Sequence, residues 1–400
     1  MNPLLLLKQY FGYDYFRDFQ EEVIDSILHL QETLVIMPTG GGKSLCFQIP
    51  ALMLDGLSIV ISPLISLMND QVTYLKRKGI RAEFLNCNQN YDESKSIINN
   101  LDNYKIIYVS PERLTNAFFL AKIRKIKISQ IVIDEAHCIS KWGFDFRKSY
   151  LSIKTFIDEI GYQIAITAFT ATASLIVQND IVNILGMKKP IIISSPLDRK
   201  KLYYGVVMPK NKLKYLIKCI LKNGDKKILI YVLTRKLVEE LSAKLKSLGI
   251  IALKYHGGML PLEKIRNQND FSEGKFKIMI ATNAFGMVIN IPDIRITILY
   301  ELPQSLEDLS QQFGRTSRDN QEGKCLLLYD DKDITRVEYF IKMASKEQQK
   351  KMLYDLKKVI SFANTKRCLH NYLLEHFGNL GENKCNNCSN CLVKNHKTPY

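Results

Sequence analysis

Met37-Pro38-Thr39-Gly40-Gly41-Gly42-Lys43-Ser44 is the stretch on which the reading of this chain turns. An apolar, β-branched run at residues 33–37 leads into it and reads as a buried strand, and residues 45–54 after it read as a helix. A glycine-rich turn between a strand and a helix N-terminus leaves backbone N–H groups free to wrap phosphate oxygens. In that frame Thr39, Gly40, Gly41 and Gly42 form the cradle, Lys43 reaches the β- and γ-phosphates, and the Ser44 hydroxyl holds Mg²⁺. The strict phosphate-loop pattern opens on glycine, whereas this one opens on Met37. An ordinary glycine-rich loop would look similar in isolation. A partner stretch argues against that: Ile131-Val132-Ile133-Asp134-Glu135-Ala136-His137 is a second apolar strand ending in two carboxylates. Asp134 suits the Mg²⁺, and Glu135 suits an attacking water. Nucleotide hydrolysis is the chemistry implied.

Four hundred residues suggest two or three domains, and 46% hydrophobic with 24% charged residues gives ample core. No run approaches the roughly 18–20 apolar residues of a membrane span. Residues 4–7 are too short for a signal-peptide core. A cytoplasmic protein without a membrane partner is expected, nucleoid-associated if bacterial. The net charge of +16 points to a polyanionic partner, with nucleic acid ahead of a membrane surface. Solvated lysine faces in a lysine-rich proteome are the bland alternative.

Short apolar runs at 34–37, 58–62, 83–86, 105–109, 130–134, 163–167 and 190–194 alternate with amphipathic stretches, which predicts a parallel sheet covered on both faces. The alternation pauses near Ser195–Lys201, read as a linker. A second series follows, with strands at 227–232, 251–255, 277–281, 296–300 and 324–329 and helices at 235–248, 261–272 and 305–313. From 334 to 377 helical patterns dominate. The expected fold is α/β: two tandem parallel-sheet domains, 1–197 and 198–332, then a small helical module, 333–400.

That module holds Cys368, Cys385, Cys388 and Cys391, whose spacing suits a tetrahedral Zn²⁺. Cys368 is expected on a helix at 367–377. Disulfides are the competing account, disfavoured in a reducing compartment, and an iron–sulfur cluster is also open. Two further loops, at Ser62–Gln71 and Ser110–Leu114, put hydroxyl groups at strand ends where nucleic-acid phosphates bind, or where ordinary helix caps occur. Thr170 and Thr172 are placed to hydrogen-bond toward the carboxylates.

Taken in order, Phe11-Gly12-Tyr13…Phe16-Arg17…Gln20, MPTGGGKS, SPLISLMNDQV, SPERL, DEAHCIS, AFTATA, YHGGM, ATNAFGM, QQFGRTSR and the terminal cysteines resemble the motifs of RecQ-family DNA helicases of superfamily 2, over almost the whole chain. The resemblance implies RecA-like sheet domains, ATP and Mg²⁺ as cofactors with a structural Zn²⁺, and 3′–5′ translocation on single-stranded or partly duplex DNA in repair or recombination. Tyr13 and Arg17 would sandwich adenine and Gln20 would read its edge. Trp142, Phe146 and Arg147 would couple DNA contact to hydrolysis; Ser62, Asn69, Thr170, Thr172, Arg235 and His256 would contact DNA or relay that coupling. Arg318 would be the arginine finger, supported by Arg315 and Gln311. Three residues depart from the family pattern: Phe144 replaces a histidine, and Val288 and Ser317 replace glycines. These motivate a rival reading, a degenerate DNA-binding or scaffold protein with weak or uncoupled ATPase activity. An RNA helicase is a further rival. The resemblance is to a minimal core without winged-helix or further helical DNA-binding domains, and a monomer is expected.

Overall fold

The computed structural model describes residues 2–38, 40–141, 146–161, 164–195, 199–285, 291–379, 381 and 384–393. They fall into two compact units, Met1–Pro196 and Leu197–Tyr400.

The first unit holds β1 (Thr33–Ile36), β2 (Leu57–Ile61), β3 (Ala82–Leu85), β4 (Ile106–Val109), β5 (Ile128–Ile133), β6 (Ala165–Thr170) and β7 (Ile191–Ser194). They pair in the order β3-β4-β2-β5-β6-β1-β7, and every pairing is parallel. Parallel neighbours require long crossovers, whose helices cover both faces. The period of two is visible in β1: Leu34 and Ile36 enter one core while Val35 and Met37 enter the other.

The second unit holds β8 (Leu202–Val207), β9 (Lys227–Tyr231), β10 (Leu253–Tyr255), β11 (Ile278–Ala281), β12 (Ile294–Leu299) and β13 (Gly323–Leu328). Their order, β10-β11-β9-β12-β13-β8, repeats the first six strands of the first sheet, with β8 in the place of β1 and no counterpart of β7 among the described residues. One architecture is used twice. The sequence reading missed β8, because a glycine in its middle hides the apolar run. Gly205 is needed there: a Cβ would lie 3.0 Å from Leu326 on β13.

Helices Asp331–Met343, Lys346–Asn364 and Leu369–His376 close the chain. Their apolar residues Val337, Leu356, Phe362 and Leu373 join Leu229, Tyr231 and Leu299 in one core. The expected helix at 367–377 starts later, at Leu369, and Cys368 is its N-cap rather than a member. No helix among the described residues is long and apolar enough to cross a membrane.

Candidate nucleotide site and metal centre

The loop after β1 needs its glycines. Gly40 and Gly42 adopt left-handed φ of 88° and 84°, and a Cβ on Gly42 would lie 2.3 Å from the Gln20 amide nitrogen. Helix Lys43–Met53 begins directly after this turn, two residues earlier than the sequence suggested. Its first N–H groups have no helical acceptor and are available to an anion. The Lys43 ammonium is buried and has no hydrogen-bond partner among the described residues. Lys212 opens the helix after β8, as Lys43 opens the helix after β1. It donates to the Tyr300 carbonyl at 2.9 Å and pairs with Asp333. The repeated fold thus carries two lysines at matching places, one hydrogen-bonded and ion-paired within its own unit and one without a hydrogen-bond partner among the described residues. A buried ammonium without a hydrogen bond is costly, and a phosphate would supply one. These residues fit a nucleotide triphosphate.

The second carboxylate-bearing strand, β5, ends beside this loop. Burial, then the neighbouring Glu135 charge, raises the Asp134 carboxyl to about 6, while Lys43 and Ser62 pull it down. Ser62 is itself buried and donates to Asp134 at 3.5 Å. A carboxylate beside a buried ammonium also fits a divalent cation, with the Ser44 hydroxyl one helical position past Lys43. Glu135 sits in the left-handed region at φ 48°, which is uncommon for a non-glycine residue. Its Oε2 lies 3.4 Å from His137 Nδ1, which donates to the Thr170 hydroxyl at 3.1 Å. Thr170 in turn donates to the Thr172 carbonyl at 3.0 Å. Thr170 therefore meets Glu135, one of the two carboxylates, across the His137 ring. Tyr150, fully buried, donates to the Asp134 carbonyl at 2.8 Å and braces the strand end.

Among the expected adenine residues, Tyr13 is half exposed, while Arg17 donates to the Gly40 carbonyl at 2.7 Å. Gln20 is buried, donates to Gly41 and Gly42 carbonyls at 3.3 and 3.1 Å, and accepts from the Arg17 N–H at 2.9 Å. Here both residues hold the phosphate loop. Arg147 donates to the Pro63 carbonyl at 3.1 Å and ties the two strand-end loops together, with Phe146 half-buried next to it. Asn69 is exposed on helix Ile65–Arg77. Thr39, Trp142, Phe144 and Val288 lie outside the described residues.

In the second unit, helix Leu306–Phe313 carries Gln311 and runs into Arg315 and Arg318. Arg315 is buried, and both guanidiniums act on Tyr231, although burial dominates and pushes its hydroxyl up to about 12. Arg235 lies 3.2 Å from where a Cβ on Gly257 would stand, so its side chain follows that turn. His256 is buried, accepts from the Gly258 N–H at 3.2 Å and faces Glu239 at 3.0 Å.

The four C-terminal cysteines converge, with their Sγ atoms all within 4.8 Å of one another. Thiolates on a tetrahedral Zn²⁺ stand roughly 3.8 Å apart, so this cluster has the size and chemistry of a closed zinc site. Hydrogen bonding between Cys385 and Cys388 couples the two thiols, pushing Cys388 below and Cys385 above the ordinary thiol range. No cysteine forms a disulfide. Cys388 also bridges backbone to Tyr204 on β8, which seats the cluster against the sheet.

Sequence reasoning passed over His137, Tyr150, Asn283 and Asp308. Asn283 donates to Asp308 at 2.8 Å and accepts from Gln312 at 2.5 Å, linking the loop after β11 to the helix before Arg315. His137 and Asn283 lie inside quoted motifs and were findable; Tyr150 shows no local signal, because only the fold brings it to Asp134.

A family profile described as DEAD/DEAH box helicase matches residues 17–181, one described as helicase conserved C-terminal domain matches 211–320, and RecQ zinc-binding matches 331–392. The chain is 38% identical over 390 residues to ATP-dependent DNA helicase RecQ of Bacillus subtilis, covering 96% of this chain and 66% of that protein. It is likewise 38% identical to putative ATP-dependent RNA helicase R290 of Acanthamoeba polyphaga mimivirus, covering 96% of this chain and 71% of that one. The chain spans 62–66% of the length of the bacterial RecQ proteins it matches. The solved structure of Saccharomyces cerevisiae Dbp5 bound to RNA and ADP BeF3 shares the fold, with a TM-score of 0.65 at 19% identity over 90% of this chain and 97% of that one.

Proposed function

This chain belongs to the RecQ family of superfamily 2 helicases, and from that membership we propose that it is an ATP-driven DNA motor. The observation that carries the reading is the buried Lys43 ammonium, which has no hydrogen-bond partner among the described residues and acts electrostatically on Asp134 at the end of β5. Backbone N–H groups of the glycine loop and Lys43 bind the β- and γ-phosphates, and Glu135 orients the attacking water. Asp134 and Ser44 hold Mg²⁺, which supplies charge neutralisation at the phosphates. Arg318, with Arg315 and Gln311 near it in sequence, is the proposed arginine finger. His137, Thr170 and Thr172 carry the state of Glu135 to the loop after β6. Tyr13, Arg17 and Gln20 receive adenine, which requires Arg17 and Gln20 to exchange at least one phosphate-loop bond for the base.

The proposed division of labour follows the chain: 1–197 binds ATP, 198–332 supplies the second motor sheet, and 333–400 forms the zinc module. DNA is the proposed track, with 3′–5′ polarity and a role in repair or recombination drawn from the family. A second reading, a scaffold with weak or uncoupled hydrolysis, draws on the departures at Phe144, Val288 and Ser317. Ser317 weakens it, because this residue is firmly held in the conformation a glycine would take: φ 46°, with its N–H on the Ile294 carbonyl at 2.7 Å.

Strand separation tests the proposal. Partial duplexes with a 3′ or a 5′ single-stranded tail, in DNA and RNA versions, are incubated with protein, Mg²⁺ and ATP. Unwinding confined to the 3′-tailed DNA is expected. Equal unwinding of the RNA version would transfer the chain to the RNA-helicase reading, and 5′-tail preference would overturn the polarity.

A further inference from the structure

We propose that a basic cleft at the amino ends of β8, β12 and β13 docks the phosphodiester backbone of duplex DNA. The cleft has a volume of about 930 Å³, and Tyr203, Ile296 and Gly323 line it at the starts of those strands. Sheets of this kind place nucleotide-binding loops at the carboxyl ends of their strands, so the cleft is separate from any such site. Among the described residues four lysines line it, Lys200, Lys201, Lys226 and Lys324, against one carboxylate, Glu322. The remaining cation on its wall, Arg295, is taken by Asp319 through both carboxylate oxygens. Lys201, Lys226 and Lys324 are exposed, and no carboxylate pairs with them among the described residues. Ammonium groups gathered on one concave surface repel one another, and a polyanion removes that repulsion.

The wall is built rather than incidental. Asn387, between two of the clustered cysteines, donates its amide to the Lys200 carbonyl at 2.9 Å. The cysteine loop thus fixes the segment that carries Lys200 and Lys201. Asn223 and Asn386 add neutral donors on the same surface. The chemistry selects backbone rather than bases. Among the described residues its one lining aromatic, Tyr203, is buried, so they present no ring on which an unpaired base could stack. Lysines and amides at a concave surface suit phosphate oxygens without regard to sequence. The inference rests on the DNA-motor reading for its purpose alone; binding itself needs neither ATP nor hydrolysis.

The test is equilibrium binding of a 20-base-pair blunt duplex, without nucleotide, across a salt series, to the full chain and to the double variant Lys226→Ala/Lys324→Ala. Losing two phosphate contacts lowers the slope of log K against log salt by about 1.8 and weakens binding by tenfold or more near 0.1 M salt. A charge-matched control, Lys125→Ala/Lys188→Ala in the first unit, is expected to retain wild-type affinity. Unchanged duplex affinity in the first variant, or an equal loss in the control, overturns the proposal. So does a variant that keeps duplex affinity but loses polyglutamate binding, which would assign the cleft to an acidic protein segment. ATP hydrolysis stimulated by single-stranded DNA is measured beside these. Its absence in every variant would sink the motor reading while leaving the cleft result intact.

Discussion

Ser317 shows how a single position can depart from a family pattern without breaking the fold. Left-handed backbone costs a non-glycine residue roughly 1–2 kcal/mol. Against that, the Ser317 hydroxyl donates to the Glu322 carbonyl at 3.0 Å and accepts from Arg295 at 3.1 Å, and hydrogen bonds of this kind contribute about 1 kcal/mol each. The two effects nearly offset. Ser317→Gly is therefore expected to move the melting temperature by less than about 3 °C. Ser317→Val, which puts a branched side chain on left-handed backbone and removes both hydroxyl hydrogen bonds, is expected to lower it by well over 5 °C; equal melting of both variants would refute this account. His137 makes a second residue-scale case. His137→Ala removes the link from Glu135 to Thr170 and is expected to cut DNA stimulation of ATP hydrolysis about tenfold while leaving KM for ATP within about twofold. An unchanged stimulation ratio would mean that the relay is structural only. Neither position was fully legible beforehand. The sequence flagged Ser317 as a departure, but only the positive φ explains why glycine is usual there. Thr170 and Thr172 were expected to face the carboxylates, and the intervening imidazole was missed because spacing alone cannot choose between Glu135 and His137.

Among the elements, the strands that carry the candidate nucleotide site were the most readable, since fully buried parallel strands appear as unbroken apolar runs. β8 failed that test through Gly205, and with it went the place where the cysteine cluster docks. Because Cys388 pairs with Tyr204 and shares a core with Leu202, Phe362 and Leu369, metal loss should be felt well beyond the tail. Structural zinc sites contribute on the order of 10 kcal/mol to folding. Chelation, or Cys388→Ser, is expected to raise hydrogen exchange across β8 and helix Leu369–His376, with release of one zinc equivalent. Exchange confined to residues 384–393 would show that the cluster is an appendage. The helix before Arg315 supplies a pH prediction. Burial pushes the Asp308 carboxyl up to about 6 despite the Asn283 hydrogen bond, so the folded state holds this proton more tightly than the unfolded chain does. The stability it contributes is full below about pH 4 and is lost as pH rises through about 6. Asp308→Asn should consequently raise the melting temperature at pH 8 and leave it unaltered at pH 4. A larger gain at pH 4 than at pH 8 would reverse the sign and refute the assignment.

At the scale of the molecule, the repeated strand order sets two correspondingly placed lysines, Lys43 and Lys212, in different surroundings. The second unit spends its corresponding lysine, Lys212, on Asp333 and Tyr300, while the first leaves Lys43 buried beside carboxylates without a hydrogen-bond partner. That contrast was invisible in the sequence, where β8 went unrecognised and Lys212 was one lysine among many. Motif order, by contrast, was legible from end to end, and MPTGGGKS, SPLISLMNDQV, SPERL, DEAHCIS, AFTATA and YHGGM fall at the ends of β1, β2, β4, β5, β6 and β10, whose geometry the parallel fold repeats. The central claim, that this asymmetry serves ATP-driven movement on DNA, is tested most directly by steady-state ATP hydrolysis with and without single-stranded DNA, alongside Lys43→Ala. The account predicts strong stimulation by DNA and a loss of roughly a hundredfold or more in the variant, since removing a group that stabilises transition-state charge costs about that much. Tight DNA binding with slow hydrolysis, unresponsive to DNA and equal in the wild type and Lys43→Ala, would contradict it and leave a DNA-binding scaffold in its place.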